Sequence, residues 1–473
     1  MTAGIITLLA LISIPIVFWA WKKADLNWLN WIGLLIIFSL PFERIPSLEI
    51  MGITLRFSQV FTLIGLGIFI ILFFKNKFLN FKWSKINYWL IALLVATTPS
   101  LFNVTNWNRY FITTIATLIV FCAAFLIANF LKNRITAILG LITSFILVSL
   151  FGYFQFFADL LGAPISITFL KQTYTKAVFG FPRVHSTAQE PLYFAGMLFL
   201  PIFVCLIIYL NPKLNLKLSK QIIGYVGTIK NKFFSEILKF IISNFSLILL
   251  LLFVGLFTIT IAKGAWFAIM LVLPFFILGT WNQLNFKKLF FQIVVLICLI
   301  FPLTILFSFT SPSFQNSLNK VTENFSETIL GTSSTFTERD NFQSLAFDLL
   351  KPEAIIGVGS GQYGILAERP LRSLKTDANQ YFIVNNVYLE IWLEQGMAFL
   401  IIFIGMLVWL ISTGITKLKN LNSFNLIQSI HLSIILAVIC NLIQWFTFSP
   451  IYIMPIFILL GLLANYNQYD EQQ

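Results

Sequence analysis

Charge is scarce in this chain: Asp, Glu, Lys and Arg make up 10% of its 473 residues, against 58% hydrophobic residues and a mean hydropathy of +0.89. An ordinary soluble domain is excluded, and an integral membrane protein is expected. Cysteine and histidine are scarcer still. All four cysteines (Cys122, Cys205, Cys298, Cys440) lie inside apolar runs and read as small core residues, not as a disulfide framework. The two histidines, His185 and His431, stand far apart with no cysteine beside them, so neither a metal site nor a cofactor is expected. No internal repeat is visible. The first apolar run lacks a basic lead and a small-residue cleavage site, and its charges, Lys22 and Lys23, follow it; it is expected to be a span and not a cleaved signal peptide.

What is present in abundance is the apolar run. Such runs recur at about 3–20, 28–41, 57–74, 87–102, 110–131, 136–159, 191–211, 240–260, 265–280, 289–309, 387–412, 428–446 and 449–464. The expected fold is therefore an all-α polytopic membrane protein of about 13 transmembrane helices, within a range of 12–14. The runs at 28–41 and 87–102 fall short of the ~20 residues of a spanning helix, and are either extended by flanking Trp and Tyr or re-entrant. Three regions follow: 1–310 with helices 1–10, a polar loop at 311–386, and 387–473 with the last three helices and a short tail. The loop alone holds six of the thirty-one Lys/Arg and eight of the eighteen Asp/Glu.

The basic residues sort by side. Alternate loops carry Lys22/Lys23, Lys75/Lys77/Lys82/Lys85, Lys132/Arg134, six lysines between Lys213 and Lys239, Lys287/Lys288 and Lys417/Lys419. The positive-inside rule makes that side cytoplasmic, with the N-terminus outside, the C-terminus inside and the 311–386 loop extracytoplasmic. Dispersed in this way, the net charge of +13 gives no reason to expect nucleic-acid binding. The outer side differs in kind: it holds Arg44, Arg56, Arg109, Arg183, Arg339, Arg369 and Arg372, whereas the inner side has one arginine, Arg134. Topology needs only charge; the guanidinium fork adds bidentate binding of phosphate or carboxylate. Pairing with acidic loop residues or lipid headgroups is the plainer explanation for any single arginine. The segment 212–239 is expected to hold an amphipathic surface helix at Ile222–Ile237.

Four outward places concentrate polar groups. The first, Phe181 to Pro191, contains Arg183, His185 and Glu190, the last at the start of a helix with Pro191 in its first turn. Glu190 is either a helix-start charge favoured by the dipole or, with His185, a proton acceptor. The second is Lys263, between two spans, where a lysine needs an anionic partner or must snorkel. The third is Thr337-Glu338-Arg339-Asp340, which resembles a capping box at the head of an amphipathic helix with the stripe Phe342, Leu345, Ala346, Leu349 and Leu350; Pro352 should end it. The Gly357-Val358-Gly359-Ser360-Gly361-Gln362-Tyr363 run follows, a turn or a place of close backbone approach. The fourth is Asn385-Asn386, then Tyr388, Glu390 and Glu394 in the first turns of the next span.

In this order these places resemble the O-antigen ligase/polymerase superfamily of bacterial envelope enzymes. The family's loop carries an Arg opening an amphipathic helix, then Gly-Val-Gly-x-Gly-x-Phe/Tyr, then His-Asn-x-Tyr/Phe-Leu-Glu and a Gly. Arg339, Gly357 to Tyr363, Asn386-x-Tyr388-Leu389-Glu390 and Gly396 fit. Ala262-Lys263-Gly264-Ala265 is similar to a family Ser-Arg-Gly-Ala signature with Lys for Arg, and the stretch around Arg183 and Glu190 resembles that of repeat-unit polymerases. Asn385 stands where the family has His, which points toward the repeat-unit polymerase branch and away from the ligases.

The resemblance implies an architecture like that of the GT-C-type glycosyltransferases, in the bacterial cytoplasmic membrane, with the site facing outward. It implies a metal-independent glycosyltransferase that joins polyprenyl-pyrophosphate-linked oligosaccharide repeats into O-antigen or exopolysaccharide. The implied catalytic residues are Glu190, His185 and Arg339. The implied substrate-binding residues are Arg183, Lys263, Gly359, Gln362, Tyr363, Asn386, Tyr388 and Glu390. The partners expected are the lipid-linked oligosaccharide, membrane lipids, and a chain-length regulator or other polysaccharide-assembly proteins. An O-antigen ligase, a protein O-oligosaccharyltransferase and a lipid-linked-oligosaccharide flippase are the alternatives; a transporter usually shows repeats and mid-membrane polar groups.

Overall fold

The structure is a computed structural model that describes residues 25–44, 47–50, 53–78, 81, 83–175, 181–216, 218, 243–280, 284–286, 334–353, 355–368, 382–419, 425–448 and 453–468, with backbone alone for 47–50, 53–55, 334–340 and 351–353. The runs at 3–20 and 289–309, the surface helix at Ile222–Ile237, Cys298, Arg369, Arg372 and most of the 311–386 loop lie outside the described residues. The rest is an all-α membrane protein. Its helices are α1 (Leu26–Phe38), α2 (Phe57–Phe74), α3 (Ile86–Ala96), α4 (Trp107–Phe130), α5 (Arg134–Leu160), α6 (Pro191–Leu210), α7 (Phe245–Ile259), α8 (Lys263–Thr280), α9 (Ser334–Glu353), α10 (Val387–Gln395), α11 (Met397–Lys419), α12 (Leu426–Gln444) and α13 (Met454–Asn467). Among the described residues, eight segments are long and apolar enough to cross a membrane, and α1, α7 and α13 are shorter apolar helices. A two-stranded antiparallel hairpin, β1 (Ser47–Ile50) and β2 (Ile53–Arg56), interrupts the helices with Ser47 opposite Arg56.

Of the two short runs, the one at 87–102 is long and apolar enough to cross a membrane once the 3-10 helix that follows α3 is counted. The other, α1, is a shorter apolar helix that leads from one face of the bundle to the other. At its start, α1 offers Asn30 Oδ1 to the Lys132 N–H (2.8 Å) on the lysine-rich face; its far end leads into the Arg44 turn on the opposite face. Likewise α3 starts beside Ser84 and Asn129 and continues as a 3-10 helix, Thr98–Asn103. Pro99 forces that change, since a proline disfavours α geometry in the residue before it and donates no hydrogen bond. Eleven α and six 3-10 residues span about 28 Å, close to the ~30 Å hydrocarbon layer.

The centre of the bundle is α6 and α13, which are buried almost throughout, with α4 and α12 against them. Close packing rests on small residues, as lipid-solvated helices require. A Cβ on Gly461 would lie 2.8 Å from Ala124 O, and one on Gly196 would lie 2.7 Å from Gln444 Oε1. Asn441 and Gln444 donate across to Gly196 O (3.3 Å) and Leu192 O (2.8 Å), so their amide N–H groups bridge α12 and α6. By contrast α2 and α8 expose large apolar side chains, such as Phe74 and Phe275, to lipid.

Two expectations at the polar loop are corrected. The helix holding Arg339 begins at Ser334, so Thr337 lies inside it and does not cap it, and Pro352 falls within its last turn. The run at 387–412 is not one span: Gly396, at φ +87°, breaks it into α10 and the spanning α11, so Tyr388, Glu390 and Glu394 stand outside the membrane-spanning segment. The stripe of α9 does bury, with Ala346 and Leu350 packed in a small second core with Val358, Tyr363, Ala367, Phe382, Val384, Leu389 and Leu393.

Candidate active site

All the predicted site residues described here lie at the same face of the bundle, in two groups. The first is built on the glycine run. Its segment at Gly357 to Tyr363 is pressed between α10 and the head of α4: Val358 and Gly359 donate to Leu393 O (2.8 Å) and Glu394 O (2.9 Å), and Asn103 Nδ2 donates to Gly357 O (2.9 Å). Gly357, Gly359 and Gly361 all have positive φ, and a Cβ on Gly361 would lie 2.7 Å from Thr113. Glycine is required there by conformation and by the neighbour.

The polar residues of this group are occupied within the protein. Gln362 is fully buried; its Oε1 accepts from Thr105 Oγ1 (2.8 Å) and Asn106 N (2.9 Å), and its Nε2 donates to Asn106 O (3.0 Å). Tyr363 donates its hydroxyl to Phe342 O (2.8 Å), tying the run to α9. Asn386 caps α10 by accepting from Tyr388 N and Leu389 N. Tyr388 donates to Leu442 O (2.8 Å), with its ring on Trp445 and Phe446. Glu394 accepts from Gly361 N (2.7 Å) and Tyr363 N (3.2 Å), and its pKa is raised by burial against those bonds and Arg109. Glu390 is buried beside it on α10. These residues shape and brace the face. Arg339 lies on α9 one turn before Phe342; its side chain is outside the described residues.

The second group surrounds the head of α6. Pro191 opens that helix, and Glu190 occupies the cap position without making a cap hydrogen bond, which leaves its carboxylate for other work. The preceding turn is rigid: Ser186 sits at φ +50°, its N–H donates to Gln155 Oε1 (2.8 Å) and its hydroxyl to Val148 O (2.6 Å). This holds His185 fully buried. Arg44 reaches from the α1–β1 turn to donate to Phe169 O (3.2 Å) and to His185 Nε2 (3.4 Å). A guanidinium only donates, so Nε2 accepts and the neutral ring carries its proton on Nδ1. Burial, then Arg44 and Lys171, push the His185 pKa down to about 4. Arg183 and Lys171 lie over the Tyr174 ring at 5.6 and 5.9 Å. Burial lowers the pKa of both, and Glu190 opposes this in each. The phenol of Tyr174 is pushed up to about 12 by burial and by Glu190.

The connection from Gln444 to Phe448 joins the two groups. Phe448 meets Tyr193 of α6 at 5.2 Å between rings, Trp445 and Phe446 carry the Tyr388 ring, and Thr447 fills the space where Gly264 has no side chain. Lys263, at the head of α8 and exposed, therefore sits at the joint, and Val184 N donates to Ile259 O (3.3 Å) just ahead of it. The structure thus brings Arg183, His185 and Glu190 together and sets Lys263 between them and the glycine-run group.

Sequence reading missed Glu43, Lys171 and Tyr174, and gave Arg44 no site. Lys171 and Tyr174 are ordinary loop residues in a 30-residue connection, and no local spacing signals their meeting with Arg183. A weak signal existed at Glu43-Arg44, a charged pair between apolar runs. Chemically, the second group offers convergent cations beside one uncommitted carboxylate at a membrane face, a setting that favours an anionic, membrane-borne substrate.

The comparison with known proteins bears on Lys263 and the glycine-run group and not on the group at the head of α6. Residues 247–409 match a family model described as O-antigen ligase, covering α7, α8, α9, the glycine run, α10 and most of α11. No curated protein matches the chain.

Proposed function

We propose, from the match of residues 247–409 to a family model described as O-antigen ligase, that the chain is a glycosyltransferase of the O-antigen ligase/polymerase superfamily and that it polymerises polyprenyl-pyrophosphate-linked repeat units at the outer face of the cytoplasmic membrane. The observation that carries the proposal is the convergence of Arg44, Lys171 and Arg183 on the head of α6, where Glu190 stands uncommitted. The lysine-rich opposite face supports an outward orientation for this one.

A pyrophosphate leaves as an already acidic group, so the transfer needs no general acid. It needs cations against the charge that develops on the leaving group and an acceptor hydroxyl held in line. In this reading Arg183 and Lys171 supply that charge without a metal, and Lys263 and Arg339 are the further cations that the family resemblance implies. The acceptor oxygen attacks the anomeric carbon, the bond to the pyrophosphate oxygen breaks with its electrons on the leaving group, and the hydroxyl proton passes to Glu190. A single displacement inverts the anomeric centre. His185 is fully buried with its Nε2 engaged by Arg44, so its part is to hold Arg44 in place and not to take the proton.

The polymerase reading takes a second lipid-linked repeat as acceptor; the ligase reading takes a lipid A core. Asn385, where the family has His, favours the polymerase. Purified protein in lipid nanodiscs, given lipid-linked repeats from its own host, should yield a ladder of polymer unaffected by EDTA. Transfer to a lipid A core without elongation would establish the ligase instead.

A further inference from the structure

Two cations of the second group rest on one ring. Lys171 Nζ and the Arg183 guanidinium lie 5.9 and 5.6 Å from the centre of the Tyr174 ring, and the His185 ring meets it edge-on at 5.8 Å. The main chain repeats the arrangement: Tyr174 N–H donates to Lys171 O (2.8 Å), and Arg183 N–H donates to Tyr174 O (2.9 Å). A 3-10 turn, Gln172–Tyr174, fixes one end of this unit, and the rigid Ser186 turn fixes the other. Yet neither cation makes an ion pair or a side-chain hydrogen bond among the described residues, and Arg183 Nε is hidden from solvent. The Tyr174 hydroxyl likewise bonds to none of them. Glu190 acts on all three groups through its field and stands within ion-pair distance of neither cation. A ring offsets part of the cost of half-burying a cation, and an anion offsets more.

We propose that Tyr174 is a donor-binding residue of the transfer site: its hydroxyl donates a hydrogen bond to the pyrophosphate of the lipid-linked substrate, and its ring holds Arg183 and Lys171 on that same group. The inference rests on the reading of this cluster as the donor site. A pyrophosphate diester presents only acceptor oxygens and carries one negative charge on each phosphate, which suits a pair of cations with a neutral donor beside them. The phenol keeps its proton, because burial and Glu190 push its pKa up to about 12, so it stays a donor at neutral pH. As the sugar leaves, charge grows on the pyrophosphate oxygen and each of these contacts strengthens. Phenylalanine at this position would keep the ring without the donor, and leucine would keep neither.

The test follows kcat/KM for lipid-linked repeats with Tyr174→Phe, Tyr174→Leu and Arg183→Ala in nanodiscs of zwitterionic lipid, and again with phosphatidylglycerol added. Tyr174→Phe should lose about tenfold or more, as expected for one hydrogen bond to a charged group, at an unfolding midpoint equal to wild type. Tyr174→Leu should lose about tenfold more, because Arg183 and Lys171 no longer have the ring beneath them. Arg183→Ala should then cost less in the Tyr174→Leu background than in wild type, since one residue acts through the other. Wild-type kcat/KM in Tyr174→Phe overturns the proposal. So does a loss that appears only with phosphatidylglycerol, which assigns the hydroxyl to a lipid headgroup. If Tyr174→Leu fails to reach the membrane, the near-isosteric Tyr174→Phe decides alone. Full activity in Arg183→Ala defeats the reading of the cluster as the donor site. A damaged Arg183→Ala beside a normal Tyr174→Phe defeats only the inference about Tyr174, so the two failures are told apart.

Discussion

The Gly361 backbone N–H donates to Glu394 Oε2 at 2.7 Å, so the glycine run hangs from a buried carboxylate on α10. The same carboxylate takes the Tyr363 N–H on its other oxygen. Removing it leaves two buried donors unsatisfied, at about 1–3 kcal/mol each. Glu394→Ala should therefore lower the unfolding midpoint of the detergent-solubilised protein, and Glu394→Gln, which still accepts once, should lower it less. Equal midpoints for Glu394→Ala and wild type would show that the run is held elsewhere.

Gly396→Ala should be poorly tolerated. At φ +87° a side chain is strained, and its Cβ would lie 2.6 Å from Ile355 O and Ile356 O, backbone atoms that cannot turn aside. The conformation alone costs about 1–3 kcal/mol. Gly67→Ala, with nothing within 4 Å, is the control and should be neutral. Membrane levels of the two variants check this directly.

His185 gives a pH dependence of stability. Its folded pKa of about 4 lies below the ordinary value of 6.5, so the unfolded chain takes up a proton that the folded chain refuses. The contribution is present in full above about 6.5 and is lost as pH falls toward 4, by roughly 3 kcal/mol at most. Unfolding midpoints between those limits should fall more steeply for wild type than for His185→Gln. Parallel slopes would place the acid sensitivity in another group.

Much of the fold was legible because membrane spans announce themselves by composition. The described helices fall at the expected runs, and the α9 stripe from Phe342 to Leu350 was readable from its period. Two boundaries were not. Thr337 looked like a cap because its neighbours mimic one, and the α10–α11 break is set by the packing of Gly396 on Ile355 and Ile356. At the site, Arg183, His185 and Glu190 were legible as neighbours in sequence. Glu43, Arg44 and Lys171 were not, since they meet α6 through tertiary contacts that no local pattern records. The glycine run was visible, but the internal use of Gln362 and Glu394 was not.

The cations around Tyr174 should act on the donor. Arg183→Ala or Lys171→Ala should reduce transfer by about 10- to 1000-fold, and Arg183→Lys, which keeps charge but loses the fork, should fall between Arg183→Ala and wild type. Lys75→Ala, on the opposite face, should leave the rate unchanged. Rates with lipid-linked repeats in nanodiscs decide it, and wild-type rates in both alanine variants would remove the cluster from the mechanism.

The most direct test is the surface glycan of a strain lacking this protein, complemented with wild type, Arg183→Ala or Glu190→Gln. Long polymer should collapse to single repeats in the deletion strain, return with wild type and fail to return with either variant present at normal membrane levels. Polymer of normal length that is not transferred to its acceptor, or repeats that accumulate on the cytoplasmic leaflet, would contradict polymerisation and point to a ligase or a flippase respectively.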